Sequence, residues 1–113
     1  MITIYHNPRC SKSREGLQLL ENSGKDFEVI KYLDTPISEE QLKTLLTLLG
    51  IKPIELVRIN EAIWKSDYKD KTLSDAQIIK AMMKHPKLIE RPIFVNGKQA
   101  IIGRPPVKVL DII

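Results

Sequence analysis

Apolar and polar positions alternate in short runs at both ends of this chain and follow helical spacing between them. Ile2, Ile4 and Tyr5 form an apolar strand that runs into the polar loop His6-Asn7-Pro8-Arg9-Cys10. From Ser11 the pattern becomes helical, with Leu17, Leu19 and Leu20 set among Arg14, Glu15 and Glu21, and Asn22-Ser23-Gly24 stops it. Phe27 to Tyr32 reads as a second strand, closed by Asp34-Thr35-Pro36. Two strands separated by about a dozen helical residues should pair in parallel through a right-handed crossover.

The middle of the chain reads as helical. Ser38 and Gln41 form a capping box, Ile37 and Leu42 occupy the staple positions, and Gly50 ends the helix they start. Lys52-Pro53 predicts a short helix with Ile54 and Val57 on its apolar side. Trp64 and Tyr68, four residues apart, read as core or lid anchors in an otherwise polar stretch. Leu73-Ser74-Asp75-Ala76-Gln77-Ile78 repeats the capping pattern and predicts a helix to His85-Pro86, with Met82 and Met83 as core filler and His85 at its carbonyl end. Arg91 to Ile102 is a hairpin around an Asn96-Gly97 turn, and after Gly103-Arg104-Pro105-Pro106 a last helix is expected with Val107, Leu110 and Ile113 on one face.

Composition narrows the function classes. At 113 residues, 42% hydrophobic and 28% charged, the chain fits one domain over residues 1–113, with a helical insertion at about 37–88. A single cysteine cannot form an internal disulfide, and no signal-peptide or membrane-spanning run is evident, so a cytoplasmic protein is expected. The +4 net charge mildly favours anionic ligands. Its cations are scattered and aromatics are only 5%, which gives no support to nucleic-acid binding. A monomer is the default expectation.

Cys10 stands immediately before a helix start, where free backbone N–H groups and the positive helix end stabilise a thiolate and can cradle an oxyanion. Its neighbours Arg9, Ser11 and Lys12 argue against a core role. Other chemistries lack their residues. No His/Cys cluster has metal-ligand spacing, no glycine-rich phosphate loop is present, and a cysteine phosphatase would want Arg where Gly16 stands. Ser13 occupies the second position of a Cys-x-x-Cys pair, so any redox cycle at Cys10 must take its resolving thiol from another molecule.

The β-α-β start, the β-β-α end, a reactive Cys at the first helix and Pro92 opening the third strand together suggest an α/β chain of thioredoxin/glutaredoxin-like fold. Asn7-Pro8-Arg9-Cys10-Ser11-Lys12-Ser13-Arg14, preceded by Tyr5-His6 and followed by Glu90-Arg91-Pro92-Ile93 and Gly103-Arg104-Pro105-Pro106, resembles the glutaredoxin-coupled arsenate reductase (ArsC) family across essentially the whole chain. The resemblance implies that Cys10 is the nucleophile that attacks arsenate, and that glutathione and then glutaredoxin resolve the adduct, with no bound cofactor and no metal. It implies that Arg58, Arg91 and Arg104 bind the oxyanion, that His6 helps keep the thiol ionised, that Ser13 and Arg14 complete the thiolate support, and that Pro92 is a cis-proline. Arginine suits an arsenate-like oxyanion because its planar donors grip two oxygens at once. Lys12 departs from the smaller, uncharged residues frequent there and adds charge and bulk at the anion loop.

Two rival functions share these residues. One is a glutathione-dependent thiol-disulfide oxidoreductase acting without arsenate. The other is a non-enzymatic regulatory binding protein of Spx type that contacts RNA polymerase, although such regulators typically carry the Cys-x-x-Cys switch that Ser13 breaks here.

Overall fold

A computed structural model describes Met1–Ile113, and the chain divides into two compact units. The first comprises Met1–Thr35 and Arg91–Ile113, and the second Pro36–Glu90. No helix is long and apolar enough to cross a membrane.

The first unit is a mixed four-stranded sheet with helices. Its strands are β1 (Ile2–Tyr5), β2 (Phe27–Ile30), β3 (Ile93–Asn96) and β4 (Gln99–Ile102), in the order β2-β1-β3-β4. β1 pairs in parallel with β2, Ile4 opposite Val29, and antiparallel with β3, Ile4 opposite Phe94, while β3 and β4 form the hairpin. Helix α1 (Ser11–Ser23) makes the crossover from β1 to β2 and ends at the left-handed Gly24. Strand alternation sends Ile2 and Ile4 to one face, where they pack with Leu20, Phe94, Val109 and Ile112. The centre of this core is Phe94, which lies between two glycines, and a Cβ at Gly16 or Gly103 would stand 2.5 or 2.3 Å from its ring.

The second unit is helical: α2 (Glu39–Leu49), α3 (Ala62–Asp67) and α4 (Asp75–Lys84), with 3-10 turns at Pro53–Leu56 and Pro86–Leu88. Both expected capping boxes form, Ser38 with Gln41 and Ser74 with Gln77, and Gly50 closes α2. Buried Trp64 stacks on Tyr68 at 5.3 Å, and the His85 ring meets Tyr68 edge-on. Trp64 is thus an anchor of this unit's core.

The structure corrects the sequence expectations at several points. β2 stops at Ile30, and Tyr32 leaves the sheet to become fully buried. The hairpin turn is Gly97-Lys98, with Asn96 still paired to Gln99, and only Gly97 has positive φ (63°). That is the pattern of a turn with glycine at its first central position. Asn96 stays in the strand, and its side chain donates to the Ile112 carbonyl at 2.6 Å.

The last helix is a 3-10 helix, Pro106–Asp111, and it turns a different face inward. At three residues per turn Pro106, Val109 and Ile112 stack into the core, while Val107 and Leu110 are about half exposed (51% and 52%). In the second unit the Pro53–Leu56 turn buries Pro53, Leu56 and Val57 and leaves Ile54 exposed. Met83 likewise faces solvent, and Met82 alone fills the core.

Candidate active site

The loop between β1 and α1 is held by Asn7, which is 5% exposed. Its side-chain Oδ1 accepts from the Arg9 N–H at 3.0 Å and its carbonyl accepts from the Cys10 N–H at 3.0 Å. Its own N–H donates to Ser13 Oγ at 3.0 Å. Ser13, fully buried in the first turn of α1, also pairs with His6 Nδ1 at 2.6 Å. Ser13 Oγ accepts from the Asn7 N–H and keeps a proton and a second lone pair for His6 Nδ1, so the imidazole tautomer sets the direction of that bond. Arg14 Nη1 donates to the Pro8 carbonyl at 2.9 Å, fixing the outer side of the loop.

This clamp sets Cys10 as the N-cap of α1 in extended conformation (φ −96°, ψ 123°), with its carbonyl accepting from the Arg14 N–H. The sulfur makes no cap hydrogen bond of ordinary geometry, yet it lies where the free N–H groups of the first turn act on it. Burial pushes the thiol pKa up. The Ser13 N–H, the Arg91 side chain through both hydrogen bond and charge, and the Lys12 N–H outweigh that burial and leave it below its ordinary 9.0.

Two arginines from distant parts of the sequence meet the thiol within the first unit. Arg91 lies at the entry to β3 and acts directly on Cys10. Arg104, just after β4, places Nη2 at 3.7 Å from Cys10 Sγ while its Nε donates to the Arg91 carbonyl at 2.8 Å. Geometry therefore puts both guanidinium groups at the sulfur, and of the side chains it is Arg91 that lowers the thiol pKa, beside the Ser13 and Lys12 N–H groups. The Gly103 N–H donates to the Pro92 carbonyl at 2.8 Å and ties the two approaches together. The Arg91–Pro92 and Arg104–Pro105 peptides are both cis.

The remaining candidates are placed differently. Burial holds the His6 pKa below 6.5, and the charges of Lys31 and Arg14 lower it further against the opposing hydrogen bond to the Ser13 backbone. His6 is therefore neutral at neutral pH, lends the thiol no positive charge, and reaches it only by fixing Ser13. Arg14 engages Pro8, and Lys12 is exposed beside Glu15 at 3.8 Å. Arg58 belongs to the second unit, where its Nη1 donates to Glu90 at 2.7 Å and its Nε lies 3.5 Å from Glu61. Asn7 is the site residue that sequence reasoning missed. An Asn-Pro pair signals a turn, but nothing in the sequence says which backbone groups the side chain will hold. Together these groups can present a thiolate nucleophile beside guanidinium and backbone donors suited to an oxyanion.

Comparison with known proteins agrees with this geometry. The model of the ArsC family matches residues 5–112. A Haemophilus influenzae protein named arsenate reductase is 45% identical over 114 residues, 99% of this chain and 98% of that protein. The Escherichia coli K12 protein YfgD, described as uncharacterized, is 48% identical over 99% of this chain and 96% of its own length. A solved structure of an arsenate reductase from Vibrio cholerae superposes with a TM-score of 0.93 at 51% identity, covering 99% of this chain and 97% of that one.

Proposed function

This chain belongs to the ArsC family, and from that premise we propose that it is an arsenate reductase whose Cys10 thiolate is the nucleophile. The observation that carries the proposal is the convergence on one sulfur of the α1 N-terminus, Arg91 and Arg104. An ordinary thiol, with a pKa of 9.0, is only about one per cent thiolate at neutral pH. Here the site favours the reactive form.

In the proposed cycle the thiolate forms a sulfur–arsenic(V) bond as an arsenate oxygen leaves as water, with Arg91 and Arg104 stabilising charge on the remaining oxygens. Arg58 matches the third oxyanion arginine of the family and is proposed for the same task. Its charge is balanced by Glu90 and Glu61, so an incoming oxyanion competes with those carboxylates. A second thiol then attacks the Cys10 sulfur. A disulfide forms, the sulfur–arsenic bond breaks with its electron pair going to arsenic, and arsenite leaves. Two electrons move to arsenic and two sulfurs are oxidised. The external thiol is proposed to be glutathione, with glutaredoxin returning Cys10 to its reduced form, in the reducing cytoplasm.

The test is arsenate-dependent NADPH consumption coupled through glutathione, glutaredoxin and glutathione reductase. The wild type is expected to turn over only when arsenate, glutathione and glutaredoxin are all supplied. A rate no greater than that of a Cys10→Ser control overturns the proposal. Reduction of a glutathionylated peptide in the absence of arsenate, without arsenate turnover, would identify a thiol-disulfide oxidoreductase instead.

A further inference from the structure

The second unit carries a groove of about 320 Å³ along α4, and none of the residues placed at the thiol lines it. Its floor is apolar, made by the half-buried Tyr68 and Leu73 and the buried Ala81. Lys80, Ala81 and Lys84 follow Gln77 at helical spacing, so this face of α4 sets Gln77 and two lysines around the floor. Lys71 adds a third cation from the segment before the helix. Lys71, Lys80 and Lys84 are exposed and stand outside the ion pairs that occupy Lys12, Lys43 and Arg58. The nearby carboxylates do not balance them. Asp67, Asp70 and Asp75 do not line the groove; Asp67 accepts from the Ser66 hydroxyl at 2.9 Å, and Asp75 faces a separate groove beside Lys43. Gln77 uses its Oε1 on the Ser74 N–H at 2.8 Å, which leaves the amide N–H groups to face a ligand. Every charged or amide group offered on the rim is therefore a donor.

Unbalanced donors around an apolar floor are complementary to carboxylates around an apolar side chain. A nucleic acid fits less well, because base binding relies on free aromatic faces. The Tyr68 ring is already stacked on Trp64 at 5.3 Å and met by His85 at 6.1 Å. We propose that this face of α4 docks an acidic peptide segment of a partner protein, with an apolar side chain on the floor and flanking carboxylates on Lys71, Lys80 and Lys84. This docking does not depend on the function proposed for Cys10.

The test follows amide chemical shifts of the isotope-labelled full chain as a capped peptide is added, with leucine set between two pairs of glutamates. Saturable shifts are expected at Leu73, Lys80 and Ala81. Serine in place of the peptide's leucine should weaken binding about tenfold, through the apolar area it no longer buries. Lys80→Glu should weaken binding about fivefold or more at low salt, and Lys80→Gln less. The difference should shrink as ionic strength rises. Because Lys80 is exposed, both variants should melt as the wild type does, which separates lost docking from lost fold.

Equal binding of the serine peptide would reduce the groove to a patch of surface charge and would overturn the proposal. No saturable shift by about 2 mM peptide would overturn it as well. Tighter binding of a short oligothymidylate would assign the face to nucleic acid instead. Shifts at the same amides that grow with protein concentration alone would assign it to a second copy of this chain, and either result would also overturn the proposal.

Discussion

Alanine in place of Arg104 is expected to lower arsenate turnover by about two orders of magnitude, the usual cost of removing one positioned donor from an oxyanion site. The Arg104 fork works in two directions, with Nη2 at the Cys10 sulfur and Nε on the Arg91 carbonyl. Losing it removes a positive donor and also loosens the residue that lowers the thiol pKa. Arg104→Lys restores the charge but not the planar fork, so it should recover only a small part of the lost rate. The thiol pKa offers a second readout. Arg91→Ala should raise it more than Arg104→Ala does, because Arg91 is the side chain that holds it down. Steady-state kinetics with matched thermal melts would check this, and an Arg104→Ala rate within threefold of wild type would contradict it.

Gly103→Ala is expected to destabilise the chain by about 2–3 kcal/mol through overpacking, lowering Tm by roughly 10 °C. The added Cβ would sit 2.3 Å from Phe94 Cε2 and 3.0 Å from Pro92 Cγ. Phe94 is fully buried and cannot swing away, since Gly16 on α1 crowds the other side of the ring. Gly16→Ala gives a sharper comparison. In a helix interior alanine is ordinarily favoured over glycine by about 1 kcal/mol, but here its Cβ would be 2.5 Å from Phe94 Cζ. The clash should reverse the sign. A melting temperature unchanged or raised in Gly103→Ala would show that the ring has room the geometry denies it.

Stability and chemistry meet at this point. Gly103 precedes Arg104 and donates to the Pro92 carbonyl, so the close approach that packs Phe94 also sets the path of the strand that delivers Arg104 to the thiol. Gly16, in the position where phosphatase-like chemistry would want an arginine, serves the core.

What was legible in the sequence was mostly local. Ser38 and Gln41, Ser74 and Gln77, Gly24 and Gly50 mark helix ends by hydrogen bonds made within a few residues, and those ends fall where the residues indicate. Cys10 at the start of α1 was legible for the same reason. The inward face of the last helix was not. A three-residue period can place either Val107 and Leu110 or Val109 and Ile112 on the core, and only packing against the rest of the first unit decides. The turn at Gly97 shifted by one residue because Asn96 has a partner at Ile112, far along the chain. Asn7 and His6 show the limit at the site itself. Their roles consist of hydrogen bonds to Arg9, Cys10 and Ser13 that exist only once the loop is closed, and the neutrality of His6 follows from burial.

The most direct test of the account is the pH dependence of Cys10 alkylation by iodoacetamide, a neutral reagent that reads the thiolate fraction. Because the folded-state pKa is lowered, the rate should reach half its maximum below pH 9.0, and Arg91→Ala should move that midpoint upward. A wild-type midpoint at or above 9.0, unmoved by Arg91→Ala, would contradict the claim that the start of α1 and the arginines hold Cys10 as a reactive thiolate.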